Sequence, residues 1–265
     1  MHNKKRINVF IYLARIAVAC GILFIFAYPF LDKETLEDIV VDIAPREEVP
    51  DFNRFRNVSD KKRAFFAYLM PAIEKENEAI LETRLFLLDI KKRRQIGKTI
   101  GRSQQQRLSA LAKKYRVKNA KHQQDLVARL LKRVDVVPAE LVLAQAANES
   151  AWGTSRFAKQ GYNFFGLWCF KKGCGFVPRR RGDNANHEVA KFENLQDAVN
   201  TYMLNLNRHF AYEELRNIRA ALRKSQQKIT APALAQGLLR YSERGQDYID
   251  ELIAMIDYNR KYMPQ

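Results

Sequence analysis

Cysteine is scarce in this chain, with three in 265 residues, no CxxC spacing, and only His187 near Cys169 and Cys174 in sequence. That scarcity argues against a metal site, and no cofactor-binding pattern is expected. No internal repeat or low-complexity tract is present, and a hydrophobic content of 47% excludes a chain disordered throughout. Acid is also in short supply, with 29 Asp and Glu against 46 Lys and Arg, for a net charge of +17. Such a charge suits anionic polymers, phospholipid headgroups or nucleic acid. Most of the excess lies between Lys61 and Val137, including Lys91-Lys92-Arg93-Arg94, Lys98, Arg102 and Arg107. The plain alternative for these residues is a solvated helix face.

Residues 7–31 form one long apolar run interrupted only by Asn8 and Arg15. About 25 residues at roughly 1.5 Å each can cross a hydrocarbon layer. Lys4, Lys5 and Arg6 before the run predict a cytoplasmic N-terminus, which places the remainder outside the cytoplasm and away from nucleic acid. No small-x-small site precedes Tyr28-Pro29-Phe30, so the run reads as a retained anchor in preference to a cleaved signal. On that side of a membrane, Cys169 and Cys174 are close enough in WCFKKGCG for a disulfide spanning a hairpin. Residues 32–60 are acidic, contain Pro45 and Pro50, and predict a tether with little structure of its own.

The most informative stretch is LVLAQAANESAWG, residues 141–153. Pro138 supplies a first-turn residue, Glu140 suits the positive helix end, and Gly153 closes the segment, so a helix is predicted. At about 100° per residue, Leu141, Gln145, Asn148, Glu149 and Trp152 form one stripe, opposite a small apolar face. A carboxylate one turn from an indole, with apolar walls around it, is partly desolvated and keeps its proton near neutral pH. Glu149 is therefore a candidate proton donor, and glycosidic bond cleavage needs one. The bland alternative is a polar stripe facing water.

The order AQAxxESxWG, a short gap, then Tyr162-Asn163-Phe164-Phe165-Gly166 resembles the glucosaminidase family of bacterial cell-wall hydrolases. GLWCFKKGCGFVPRR, AYEELR and YSERGQDY are similar to its Bax-type members in particular. The resemblance runs from about Arg107 to the C-terminus, and more loosely back to Lys61. It implies a mainly α, lysozyme-like helical domain with a small β-hairpin, here preceded by an N-terminal transmembrane segment. It further implies cleavage of the β-1,4 bond after N-acetylglucosamine in peptidoglycan, with Glu149 as general acid. The expected setting is the bacterial inner membrane, with the domain in the periplasm on peptidoglycan strands. Lytic transglycosylase and non-catalytic peptidoglycan-binding scaffold are the alternatives.

Family members place a second acid on a hairpin after NxFG, but here that stretch reads Val177-Pro178-Arg179-Arg180-Arg181. Asp183 and Glu188 are the nearest candidates, Glu188 within an alternating return strand over 187–192. If neither serves, the substrate's own N-acetyl group can act as nucleophile, with tyrosines orienting the sugar. Tyr241 is the candidate catalytic tyrosine. Gln145, Trp152, Tyr162, Asn163, Phe165, Trp168 and Tyr248 are the candidate substrate-binding residues. Lys171, Lys172 and Arg179–Arg181 suit the carboxylates of peptide stems.

The organisation expected is an anchor over 1–31, a tether over 32–60, an N-terminal helical extension over 61–104 and the catalytic domain over 105–265. In 61–95, helical spacing interrupted at Pro71 predicts one long helix or a pair, and Phe65, Phe66, Leu69, Ile73, Ile80, Leu81, Leu85 and Leu88 predict the buried face. Shorter helices are predicted at 105–115, 123–133, 195–206, 212–224, 231–241 and 246–259.

Overall fold

The computed structural model describes residues 48–118, 120, 122–178 and 187–264. The anchor over 1–31, most of the tether and the segment 179–186 lie outside them. Among the described residues no helix is long and apolar enough to cross a membrane.

The longest element is α1 (Val58–Gln95), opened by Asn57, whose side chain accepts from the Ser59 N–H at 2.8 Å. It runs through Pro71 as one long helix, the first of the two arrangements expected there. Proline removes one backbone hydrogen bond, at a cost of about 3 kcal/mol, and packing along the whole helix outweighs that. The buried face differs from expectation in its second half. Phe65, Phe66, Leu69, Ile73, Ile80, Leu87 and Ile90 are buried, whereas Leu81, Leu85 and Leu88 are 41%, 65% and 40% exposed. The stripe follows a period near 3.6 from Phe65 through Ile80 to Leu87, and the three leucines fall on the opposite side.

α1 packs on α3 (Gln123–Arg133), α4 (Ala139–Ser150) and α6 (Leu195–Arg208), so residues from 61–104 share one core with the later helices. Between α1 and α3 lies α2 (Arg102–Lys114), which touches α3 and buries Leu108. The end of the tether does not behave as predicted. Residues 52–54 form a 3-10 turn, and Phe52 is fully buried edge-on to Phe65, 5.3 Å between ring centres. A large aromatic gains more from that burial than its local chain loses in freedom.

After α4 come α5 (Arg156–Gly161) and a small sheet of β1 (Trp168–Cys169), β2 (Gly175–Phe176) and β3 (Glu188–Ala190). The sheet is three-stranded, with β3 central and antiparallel to both neighbours, where a simple hairpin was expected. Trp168 pairs with Val189, and Gly175 with Ala190. The Cys169–Cys174 disulfide closes the β1–β2 turn, as the sequence predicts. A Cβ at Gly175 would sit 2.0 Å from the Val189 carbonyl oxygen, so only glycine fits there. Gly175→Ala is expected to separate β2 from β3, seen as loss of amide protection at Lys191, whose N–H donates to the Cys174 carbonyl, while Ala190, bonded to the Leu167 carbonyl, stays protected and the helical circular dichroism is unchanged.

The C-terminal part is helical: α6, α7 (Glu213–Lys224), the short α8 (Ala231–Ala235) and α9 (Gln246–Asn259). The helix expected over 231–241 stops at Ala235 and continues as a 3-10 turn, Gln236–Leu238. α8 and α9 both pack against α4, which is thereby surrounded.

A buried polar cluster fixes where α4 begins. Asp135 is 2% exposed and pairs with Arg84 at 3.3 Å and with both Nε and Nη2 of Arg223, at 3.0 and 2.8 Å. Fully buried Arg219 donates to the backbone carbonyls of Asp135, Val136 and Arg133, at 2.9, 3.0 and 3.1 Å. Its burial lowers the guanidinium pKa to about 10, still protonated at neutral pH. Asn77 of α1 completes the clamp, donating to the Val137 carbonyl and accepting from its N–H.

Candidate active site

α4 is apolar on almost every side, so it is buried from Leu141 to Ala147, with Ala139 and Glu140 at its start and Asn148 and Glu149 near its C-terminal end half-exposed. The two-faced helix expected from the sequence is not what forms. Ala151 then adopts φ 51° and Trp152 φ 60°, and the chain reverses. This takes Trp152 off the Glu149 stripe. Its indole packs between Phe65 and Phe66, at 5.6 and 5.4 Å, with the Lys62 ammonium 5.0 Å from the ring. The predicted indole over the carboxylate is therefore replaced by other groups.

Those groups are tyrosines. Tyr248 of α9 is 3% exposed, and its hydroxyl donates to Glu149 Oε1 at 3.2 Å. The same hydroxyl accepts from Gln145 Nε2 at 3.0 Å, and Gln145 Oε1 accepts from the Tyr202 hydroxyl. A continuous hydrogen-bonded chain thus runs from α6 through α4 to α9 and ends on the carboxylate. Each donor is spoken for by the next acceptor, which leaves the Tyr248 proton directed at Glu149. Gln145 is fully buried, so it orients Tyr248 and does not meet substrate.

Around this chain Tyr241 stacks on Tyr248, 5.5 Å between ring centres, and donates to the Phe165 carbonyl at 3.1 Å. Phe165 stacks on Tyr202 at 4.1 Å. Burial pushes the Tyr241 and Tyr248 phenols well above the ordinary tyrosine range, so both remain protonated donors.

Burial likewise raises the Glu149 pKa, opposed by the hydrogen bonds from Tyr248 and Asn148. The negative charge of Glu251 raises it further. Glu251 is exposed on α9 and ion-paired to Arg244 at 2.7 Å. Oε1 is held from the protein side, while Oε2 faces Gly166, an exposed glycine at φ 62°. A Cβ there would stand 3.5 Å from Oε2. Glu149 as a whole is half-exposed, with Oε2 on the side of Gly166.

The YNFFG loop holds its shape through Asn163, which is 1% exposed. Its amide donates to the Leu167 and Ala190 carbonyls at 2.8 Å each and accepts from the Leu167 N–H at 2.9 Å. Tyr162 is buried at the end of α5, and Phe165 is buried against Tyr202. These three, proposed from sequence to bind substrate, build the loop that sets Gly166 beside Glu149. Trp168 differs, being 59% exposed and stacked flat on His187 at 4.2 Å.

Glu188 is 5% exposed, and its two carboxylate oxygens accept from the Gly173 and Gly175 N–H groups at 2.9 and 2.8 Å. It organises the disulfide-closed turn and is spent on that task. Cys169, Cys174 and Glu188 lie together, but the two sulfurs are bonded to each other and leave no thiolate for a metal. Asp183 lies outside the described residues. Tyr202 and Tyr212 were missed as site residues. Both are buried, and Glu149's charge acts on the phenol of each. The available signal was a tyrosine in the apolar stripe of α6, since a buried phenol needs a hydrogen-bond partner.

Tyr248→Phe removes the proton donated to Oε1. The loss is expected to raise the Glu149 pKa, moving the alkaline limb of any activity it supports to higher pH. Gln145 would lose its acceptor, at a stability cost of about 1–3 kcal/mol, read from denaturant unfolding.

A family model for glucosaminidase, described as mannosyl-glycoprotein endo-beta-N-acetylglucosaminidase, matches residues 124–261, which include Glu149 and every tyrosine of the hydrogen-bonded chain. Protein bax of Escherichia coli (strain K12) is 34% identical over 220 residues, covering 82% of this chain and 77% of that protein. No solved structure matches. The chain belongs to the glucosaminidase family and is a Bax-type member of it.

Proposed function

We propose that this protein is a peptidoglycan hydrolase that cleaves the β-1,4 bond after N-acetylglucosamine, with Glu149 as general acid. The observation that carries the proposal is the split environment of the half-exposed carboxylate, with Oε1 accepting from Tyr248 and Oε2 on the side of exposed Gly166. A desolvated acid in this position protonates the leaving glycosidic oxygen from Oε2. As the proton leaves, the carboxylate charge develops on a group already accepting from Tyr248. The donor is in place before the reaction and needs no reorganisation.

Positive charge growing at the anomeric carbon requires a nucleophile. Glu188 is committed to the turn, and Glu251 is exposed and paired with Arg244. The substrate's N-acetyl oxygen is the group we assign to that step, with water then resolving the intermediate. The exposed face of Trp168, two residues beyond Gly166, offers a flat apolar surface on which a sugar ring can stack. Lys171 and Lys172, in the exposed turn before Cys174, suit the carboxylates of peptide stems.

The proposed setting is the periplasmic side of the bacterial inner membrane, with residues 7–31 as anchor. The test is incubation of the full chain with purified peptidoglycan. New N-acetylglucosamine reducing ends support the proposal. Anhydro sugars would make it a lytic transglycosylase, and binding without turnover a scaffold.

A further inference from the structure

We propose that the outer face of the second half of α1 is a self-association surface, which pairs antiparallel with the same face of a second copy of this chain. This face lies opposite the buried stripe. Along it run Glu74, Glu78, Leu81, Leu85, Leu88 and Lys92, at spacings that alternate between four and three residues. That alternation keeps a straight seam along a helix and is the pattern by which two helices interlock. Leu81, Leu85 and Leu88 are 41%, 65% and 40% exposed, three consecutive leucines of the seam that nothing else in the described fold covers.

The flanking charges say what covers them. Exposed Glu74 and Glu78 lie on the N-terminal side of the leucines, and exposed Lys91 and Lys92 on the C-terminal side. Antiparallel pairing brings the glutamates of each copy beside the lysines of the other, twice, across a two-fold axis near Leu85. Parallel pairing would set like charges opposite one another. An anionic bilayer fits less well, because Glu74, Glu78, Glu82 and Asp89 surround the leucines and would face the headgroups. A seam of this length is smaller than a standard interface, so association in the micromolar range is expected.

The test is sedimentation equilibrium of the full chain in density-matched nonionic detergent. Concentration-dependent dimerisation is expected, weakened about tenfold or more by Leu85→Glu and unaffected by Val58→Glu at the far end of the same helix. Lys92→Glu should weaken it, and adding Glu78→Lys to that variant should restore it, a rescue that a fold defect would not produce. A monomer at all micromolar concentrations would overturn the proposal, as would a dimer indifferent to Leu85→Glu or a charge swap without rescue. Binding to anionic vesicles that Leu85→Glu abolishes, with no self-association, would assign the face to lipid and equally overturn it.

Discussion

Glu149→Gln is expected to lower peptidoglycan turnover by about 10²–10⁴-fold, the usual contribution of a positioned general acid. Glutamine keeps the volume and an oxygen for Tyr248 to donate to, but has no proton to give the glycosidic oxygen. The substitution should cost no stability at neutral pH. Because burial raises the folded-state pKa of Glu149, the folded protein holds its proton more tightly than the unfolded chain. Stability therefore falls as pH rises from the ordinary carboxylate range through the raised value. The glutamine variant does not titrate and escapes that loss. Its thermal midpoint is expected to match the parent at acidic pH and to equal or exceed it at neutral pH. Full turnover by a folded Glu149→Gln protein would place the acid elsewhere, whereas a variant that loses both fold and turnover would make Glu149 a structural residue.

The sequence carried the motif helix, its acid and the neighbouring loop, because short-range patterns encode them: Pro138 at the start, an Ala-rich interior, and YNFFG close behind. What each residue does there was less legible. Gln145 and Tyr248 look like polar groups free to meet a sugar, yet burial turns them into a hydrogen-bonded chain that acts on Glu149. Which polar group is buried depends on what α6 and α9 bring to the other side of α4, and residues about 50 to 100 positions away are invisible to local periodicity. Trp152 shows a second limit. Two left-handed residues after α4 swing its ring away, and neither Ala151 nor Trp152 is a residue type that announces a positive φ. The misplaced leucines of α1 have a simpler origin, since an alternating three-and-four pattern is equally compatible with either side of a long helix.

Asp135→Ala is expected to destabilise the protein by about 3–5 kcal/mol, the range for breaking a buried ion pair from one side. The carboxylate is almost fully buried and is shared by Arg84 from α1 and Arg223 from α7. Burial already disfavours the charged form of the Arg84 guanidinium, which Asp135 offsets. Without the carboxylate, that cation and buried Arg219 keep their desolvation cost and lose their counter-charge. Arg223 is 42% exposed and can turn toward solvent, which places the expected loss nearer the lower end. Asp135→Asn should cost less than Asp135→Ala, because an amide oxygen still accepts from the Val136 N–H, as Asp135 Oδ1 does at 2.9 Å. The measurement is the denaturant midpoint at constant slope, since a changed slope would report an altered unfolded or native ensemble. The cluster stands at the N-terminal end of α4 and Glu149 at the other, about 15 Å away at roughly 1.5 Å per residue. Partial unlocking of that end should therefore also lower turnover while leaving its pH profile in place, because the groups that set the Glu149 pKa all lie at the far end of the helix.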